Sequence, residues 1–310
     1  MATEALHREA LGLIPWVASS WFLTLAVGVL LWLLPNCGRP ARSLWRFLSE
    51  ERGPVSPGEL VLALYALALP YGALLSGFLD AGAMGLEVPS WPAVGWGALW
   101  GVGLCFLALV VWRSYLRLGH PPAGLLRRSR RLAASPAGRP LFLLWAAAEE
   151  MHWAFYRTLP ALIWGRESGL WLGVLLLLAE RYSLPQTLAR LRRPGGVEEE
   201  AWWLSQVLVM TAAFVSLNNL WLCIVLHALL EGAVAWRLSC HPAEEAPASS
   251  PERIAPAPVA LSAATALLLL ALCTWGAAHP YLRPAADQPA TRPIPTPTPT
   301  ATPWPTSPAT

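Results

Sequence analysis

Eight apolar stretches, each long enough to cross a bilayer or nearly so, dominate this 310-residue chain and leave little freedom for any soluble fold. They fall at about 11–34, 59–79, 93–113, 140–164, 169–188, 201–217, 219–238 and 257–278. Backbone groups in hydrocarbon must be satisfied within the segment, so stretches of this length predict helices. The expected fold class is all-α: a polytopic membrane helical bundle of about eight transmembrane helices, followed by a disordered Pro/Thr-rich tail. Only 13% of residues are charged and 55% are hydrophobic, in keeping with that class.

The chain divides into four regions on this reading. Residues 1–139 form an N-terminal three-helix membrane region, and 140–238 a membrane core that carries most of the interior ionisable groups. Residues 239–279 hold a linker and the last span. Residues 280–310, ending PTPTPTPTATPWPTSPAT, cannot bury a core and are expected to be extended, as a stalk or spacer. Asn218 and Asn219 separate the sixth and seventh spans as a turn pair.

Loop charge sets the expected orientation. Arg39, Arg42, Arg46 and Arg52 fill the first loop, and Arg117, Arg127, Arg128, Arg130, Arg131 and Arg139 the third. Arg190, Arg192 and Arg193 fill the fifth, while loop 80–92 holds only Asp80 and Glu87. Basic loops stay cytoplasmic, so both termini are expected outside a cell (plasma) membrane, with lipid as the surrounding partner. The net charge of +3 comes from these loop arginines and gives no nucleic-acid signal. The sequence has no Lys, which excludes Schiff-base chemistry. The five cysteines are scattered without a CxxC pair, which argues against a disulfide framework. No cleavable signal peptide is expected, because the first apolar segment is too long for one.

Against this apolar background stands Trp145–Arg157, WAAAEEMHWAFYR, with Glu149, Glu150, His152 and Arg157. A second polar place lies at His227 and Glu231, in LWLCIVLHALLEG. Helical rise puts Glu149 about 13 Å into the bilayer from Pro140, His227 about 12 Å in from Asn219, and Glu180 roughly 16 Å from Gly169. Ionisable groups at mid-membrane depth are expensive and mark functional positions or pairs. Glu149 and His152, at i and i+3, share a helix face, as do His227 and Glu231 at i and i+4. Glu150 and Arg157, two turns apart, are expected to pair and to leave Glu149 and His152 facing a cavity. A carboxylate with imidazoles can activate water or bind a divalent metal, so Glu149, His152, His227 and Glu231 are the candidate ligands.

The stretch Glu149–Arg157 followed by LWLCIVLHALLE resembles the CAAX protease and bacteriocin-processing family, also called CPBP or Abi membrane proteases. The resemblance covers roughly residues 140–238. That family carries EExxxR, then FxxxH, then HxxxN or HxxxD, on successive membrane helices. Here the Arg is Arg157 and position 154 is Ala154; Phe214–Asn218 has the shape of FxxxH but ends in Asn; and the last motif reads His227-x-x-x-Glu231. At the spacing of the second motif the only candidate is Glu180, and His152 is the imidazole that could stand in for the missing one.

The resemblance implies an intramembrane endopeptidase acting on a peptide or membrane-protein substrate. Glu149 would activate water, Glu150 would orient or share the proton, and His227 would stabilise the oxyanion or bind metal. Glu231 can ligate a metal but cannot donate to an oxyanion unless protonated. A divalent metal, zinc, is the cofactor considered, and the resemblance leaves open whether one is needed. Two other readings stay open. One is a catalytically degenerate scaffold or binding protein of the same fold. The other is a di-metal oxidoreductase using Glu149-x-x-His152 with Glu180, His227 and Glu231. A transporter is disfavoured by the lack of an inverted repeat.

Overall fold

Local capping sets some of the helix boundaries. Ser56 opens one of them through a capping box: its hydroxyl accepts from Glu59 N (3.2 Å), and Glu59 Oε2 accepts from Ser56 N (2.8 Å). Asn218 closes another in the left-handed conformation (φ 47°), its N–H bonded to Phe214 O. Asn219 then accepts from Leu222 N (3.0 Å) and starts the next, so the Asn pair is the break between two spans. The computed structural model describes residues 2–49, 55–87, 91–118, 127–136, 138–193 and 195–240.

Among these residues ten α-helices follow in order: α1 (Ala2–Leu33), α2 (Arg39–Ser49), α3 (Pro57–Leu75), α4 (Trp91–Leu118), α5 (Arg127–Ala134), α6 (Gly138–Trp164), α7 (Arg166–Tyr182), α8 (Pro185–Leu191), α9 (Gly196–Leu217) and α10 (Leu220–Cys240). There is no strand among the described residues. Among the described residues, five helices are long and apolar enough to cross a membrane: those containing Leu11–Asn36 (with the 3-10 turn after α1), Pro57–Leu75, Val94–Tyr115, Gly196–Leu217 and Leu220–Leu238. This is fewer than the expected eight, for identifiable reasons. The stretch expected at 140–164 is α6, whose middle carries Glu149, Glu150 and Arg157. The one expected at 169–188 is α7, which has 17 residues and stops before Pro185. The expected span 257–278, the linker 241–256 and the tail lie outside the described residues.

The bundle has an inside and an outside. α6 packs against α1, α3, α5, α7 and α10, while α9 packs against α4, α7, α8 and α10. The most apolar stretch of α9 is 67% buried, against 22%, 17% and 28% for those of α1, α3 and α4, so α9 is an inner helix and those three are peripheral. Phe22, Leu75, Leu99 and Phe106 on the peripheral helices, and Leu229 and Trp236 on α10, point outward as lipid-facing residues would. α2 and α5 are short helices within the expected loops, and α8 straddles the end of the expected fifth span and the loop that follows it.

α6 and α7 form the tightest pair. Gly165 (φ 81°) makes the turn between them. A Cβ on Gly173 would lie 2.4 Å from Arg157 Cα, and one on Gly169 would lie 2.3 Å from Pro160 O. Small residues let membrane helices approach this closely. Gly173→Ala should therefore destabilise the bundle by about 1–3 kcal/mol in unfolding from detergent micelles. Gly103→Ala is the control, because nothing lies within 4 Å of a Cβ there. Equal stability of the two variants would contradict this packing.

Candidate functional site

Adjacent residues on a helix point about 100° apart. Glu149 and Glu150 therefore address different surroundings. Glu150 is fully buried, with its Oε2 3.4 Å from Arg157 NH2 and its Oε1 2.9 Å from His227 Nδ1 of α10. Glu149 retains a side-chain exposure of 20%. Its Oε1 accepts from Trp145 Nε1 (2.7 Å) and from Arg128 NH2 (3.2 Å), and its Oε2 lies 3.5 Å from His227 Nε2.

His227 is the junction. Its ring stacks on Trp153, with centroids 5.0 Å apart and planes at 17°. One turn along α10, Glu231 Oε2 lies 3.2 Å from the same Nε2. Glu231 accepts in addition from Gln206 Nε2 of α9 (3.1 Å) and from the Ser129 hydroxyl of α5. Arg157 is closed off on every side: Nε donates to Trp153 O (3.1 Å), NH1 to Thr211 Oγ1 (3.1 Å) and NH2 to Glu150. Three carboxylates thus face two guanidinium groups around one imidazole.

His152 and Glu180 belong elsewhere, contrary to the expectation of one shared cavity. His152 Nε2 lies 2.9 Å from Glu180 Oε2. Glu180 Oε1 accepts from Thr24 (2.8 Å) and Tyr156 (2.9 Å), and Ser20 and Tyr65 extend this second cluster onto α1 and α3. Residues at i and i+3 differ by about 60° around a helix. That difference suffices for Glu149 to reach toward α5 and α10 while His152 reaches toward α7. Arg157 and Glu150 do pair as expected, but Glu150 also holds His227.

Glu149, His227 and Glu231 each offer a ligand atom within 4.8 Å of the others, and this group could hold a metal ion. His152, an expected ligand, is not part of it. The fit is good in one further respect. Glu150 on Nδ1 leaves Nε2 directed at Glu149 and Glu231, the outer-shell arrangement that orients metal-binding histidines.

Sequence reasoning missed Arg128, Ser129, Trp145, Trp153, Gln206 and Thr211. Trp145 and Trp153 lie one turn before Glu149 and Arg157, a spacing that could have drawn notice. Arg128 and Ser129 were hidden in the RRSRR segment, whose charge reads as a cytoplasmic-loop signal. Comparison with known proteins adds no relative: no family model, no curated protein and no solved structure matches this chain.

Proposed function

We propose that this chain is an intramembrane endopeptidase of the CAAX-processing type, hydrolysing a peptide bond of a peptide or membrane-protein substrate through a glutamate-activated water. The observation that carries the reading is the pairing of a partly exposed carboxylate, Glu149, with a buried imidazole, His227, whose Nε2 lies 3.5 Å from it. Glu149 is the reachable member of a group whose other members are buried. It takes the water proton as general base. Glu150 and Trp153 hold the ring of His227 in place, and Gln206 and Ser129 hold Glu231. The protein sits in the cell membrane with the basic loops inside and both termini outside, in keeping with the arginine distribution. Comparing wild type with Glu149→Gln in a peptide-cleavage assay on proteoliposomes tests the reading. Equal rates would remove it.

A metal-assisted form of the same reading is favoured by the donor spacing. A divalent ion of the zinc type, held by Glu149, His227 and Glu231, would supply Lewis acidity and a more acidic water. Titration of chelator-treated full-length protein with Zn²⁺ should show one ion per chain, and His227→Ala should lose it. Absence of binding to wild type would leave the metal-free form. The di-metal oxidoreductase is less well supported, because His152 is engaged with Glu180 instead of joining Glu149. A catalytically degenerate scaffold predicts that Glu149→Gln leaves the protein's activity in cells unchanged.

A further inference from the structure

Hydrolysis at Glu149 needs a donor for the oxyanion that forms on the substrate carbonyl. In the resemblance that role falls to the histidine, yet both nitrogens of His227 already face carboxylates: Nδ1 faces Glu150, and Nε2 faces Glu149 and Glu231. Arg157 has Nε, NH1 and NH2 engaged and is buried away from the opening. Trp145 and Gln206 each donate to a carboxylate of the cluster.

Arg128 is different. It comes from α5, outside the stretch that resembles the protease family, and its NH2 lies 3.2 Å from Glu149 Oε1. Its guanidinium lies over the Trp145 ring at 3.8 Å, which fixes the plane. Its Nε is buried without a hydrogen-bond partner among the described residues. A guanidinium has five N–H donors, so Arg128 has capacity to spare at the proposed base. α5 is held firmly there. Arg131 pairs with Glu59 at 2.8 Å, Leu132 is buried, and a Cβ on Gly138 would lie 2.3 Å from Leu132 O.

We propose that Arg128 is the oxyanion-stabilising residue of this site, so that α5 completes the active centre. This rests on the hydrolase reading above. Glu149 removes a proton from water as the water oxygen bonds to the carbonyl carbon. The carbonyl π pair moves onto oxygen, where Arg128 donates a hydrogen bond and keeps its own proton. On collapse the C–N bond breaks, and Glu149 returns the proton to the leaving amine. Arg128 is a preformed cationic donor beside the developing charge, the arrangement in which such donors contribute most.

The test uses full-length protein in proteoliposomes, with a pooled library of unmodified hydrophobic peptides read by mass spectrometry. Cleaved sequences are resynthesised for kinetics. R128Q should lower kcat by about 10²–10³-fold with KM little changed. R128K, whose shorter ammonium cannot form the same planar contact with Trp145, should retain kcat between the two. Ethylguanidinium should restore part of the rate of R128A, which a purely structural role would not allow. Wild-type kcat in R128Q, with Glu149→Gln inactive, would overturn the role of Arg128 and leave the hydrolase standing. Should R128Q fail to fold, wild-type kcat in R128K, or no response of R128A to ethylguanidinium, would overturn it instead. Undiminished cleavage by Glu149→Gln, or none by wild type, would overturn both proposals.

Discussion

Glu149→Gln should abolish peptide cleavage, with kcat falling by about 10²–10⁴-fold, the range for loss of a positioned general base. The carboxamide keeps the shape of the side chain and can still accept from Trp145 Nε1, which reaches Glu149 Oε1 at 2.7 Å. What it loses is the ability to take a proton. Because Glu149 is partly exposed and the other carboxylates of the cluster are buried, the fold should be nearly indifferent to this change. Melting in detergent should therefore match wild type while turnover does not. A parallel loss of melting temperature would assign Glu149 a structural role instead. The contrast with Glu150 is useful, since Glu150→Gln removes the partner of both Arg157 and His227 and should cost stability as well.

Arg157→Ala should destabilise the protein by about 3–5 kcal/mol, the range for breaking a buried ion pair by removing one partner. Arg157 is fully buried and makes three directed contacts, to Trp153 O, Thr211 Oγ1 and Glu150 Oε2. Removing it leaves Glu150 without its cation and opens a void beside Phe214, whose ring lies 5.0 Å from the guanidinium. Lys at 157 should rescue poorly, because a single ammonium cannot satisfy the three directions that the planar fork serves. Adding Glu150→Gln to Arg157→Ala should recover part of the loss, since the orphaned charge is then gone. Chemical unfolding in micelles measures all three. A change within about 1 kcal/mol for Arg157→Ala would show that the pair contributes no more than a surface salt bridge.

These expectations show where the sequence was informative. Apolar length identified the membrane-like helices, and the Asn218–Asn219 pair marked the break between α9 and α10, because cap chemistry is local. Depth counting placed Glu149 and His227 at a common level, and they lie 3.5 Å apart. What could not be read was how side chains on one helix divide among neighbours. His152 turns to Glu180 of α7, 2.9 Å away, and nothing in the spacing of α6 foretells which helix stands on that side. The arrival of α5 at the site was likewise hidden. A run of arginines has the same appearance whether it faces water or folds back over a carboxylate, so Arg128 and Ser129 emerge only from tertiary packing. α6 and α7 were counted among the spans by apolar length, yet α6 carries Glu149, Glu150 and Arg157 in its middle, and α7 has 17 residues and ends before Pro185.

The claim that this cluster hydrolyses peptide bonds is tested most directly by running the cleavage assay in ¹⁸O-labelled water with wild-type protein and Glu149→Gln side by side. The account predicts products from wild type whose new carboxyl terminus carries a single heavy oxygen, and no products from the variant. Products without the label, or labelled products formed equally well by Glu149→Gln, would contradict it.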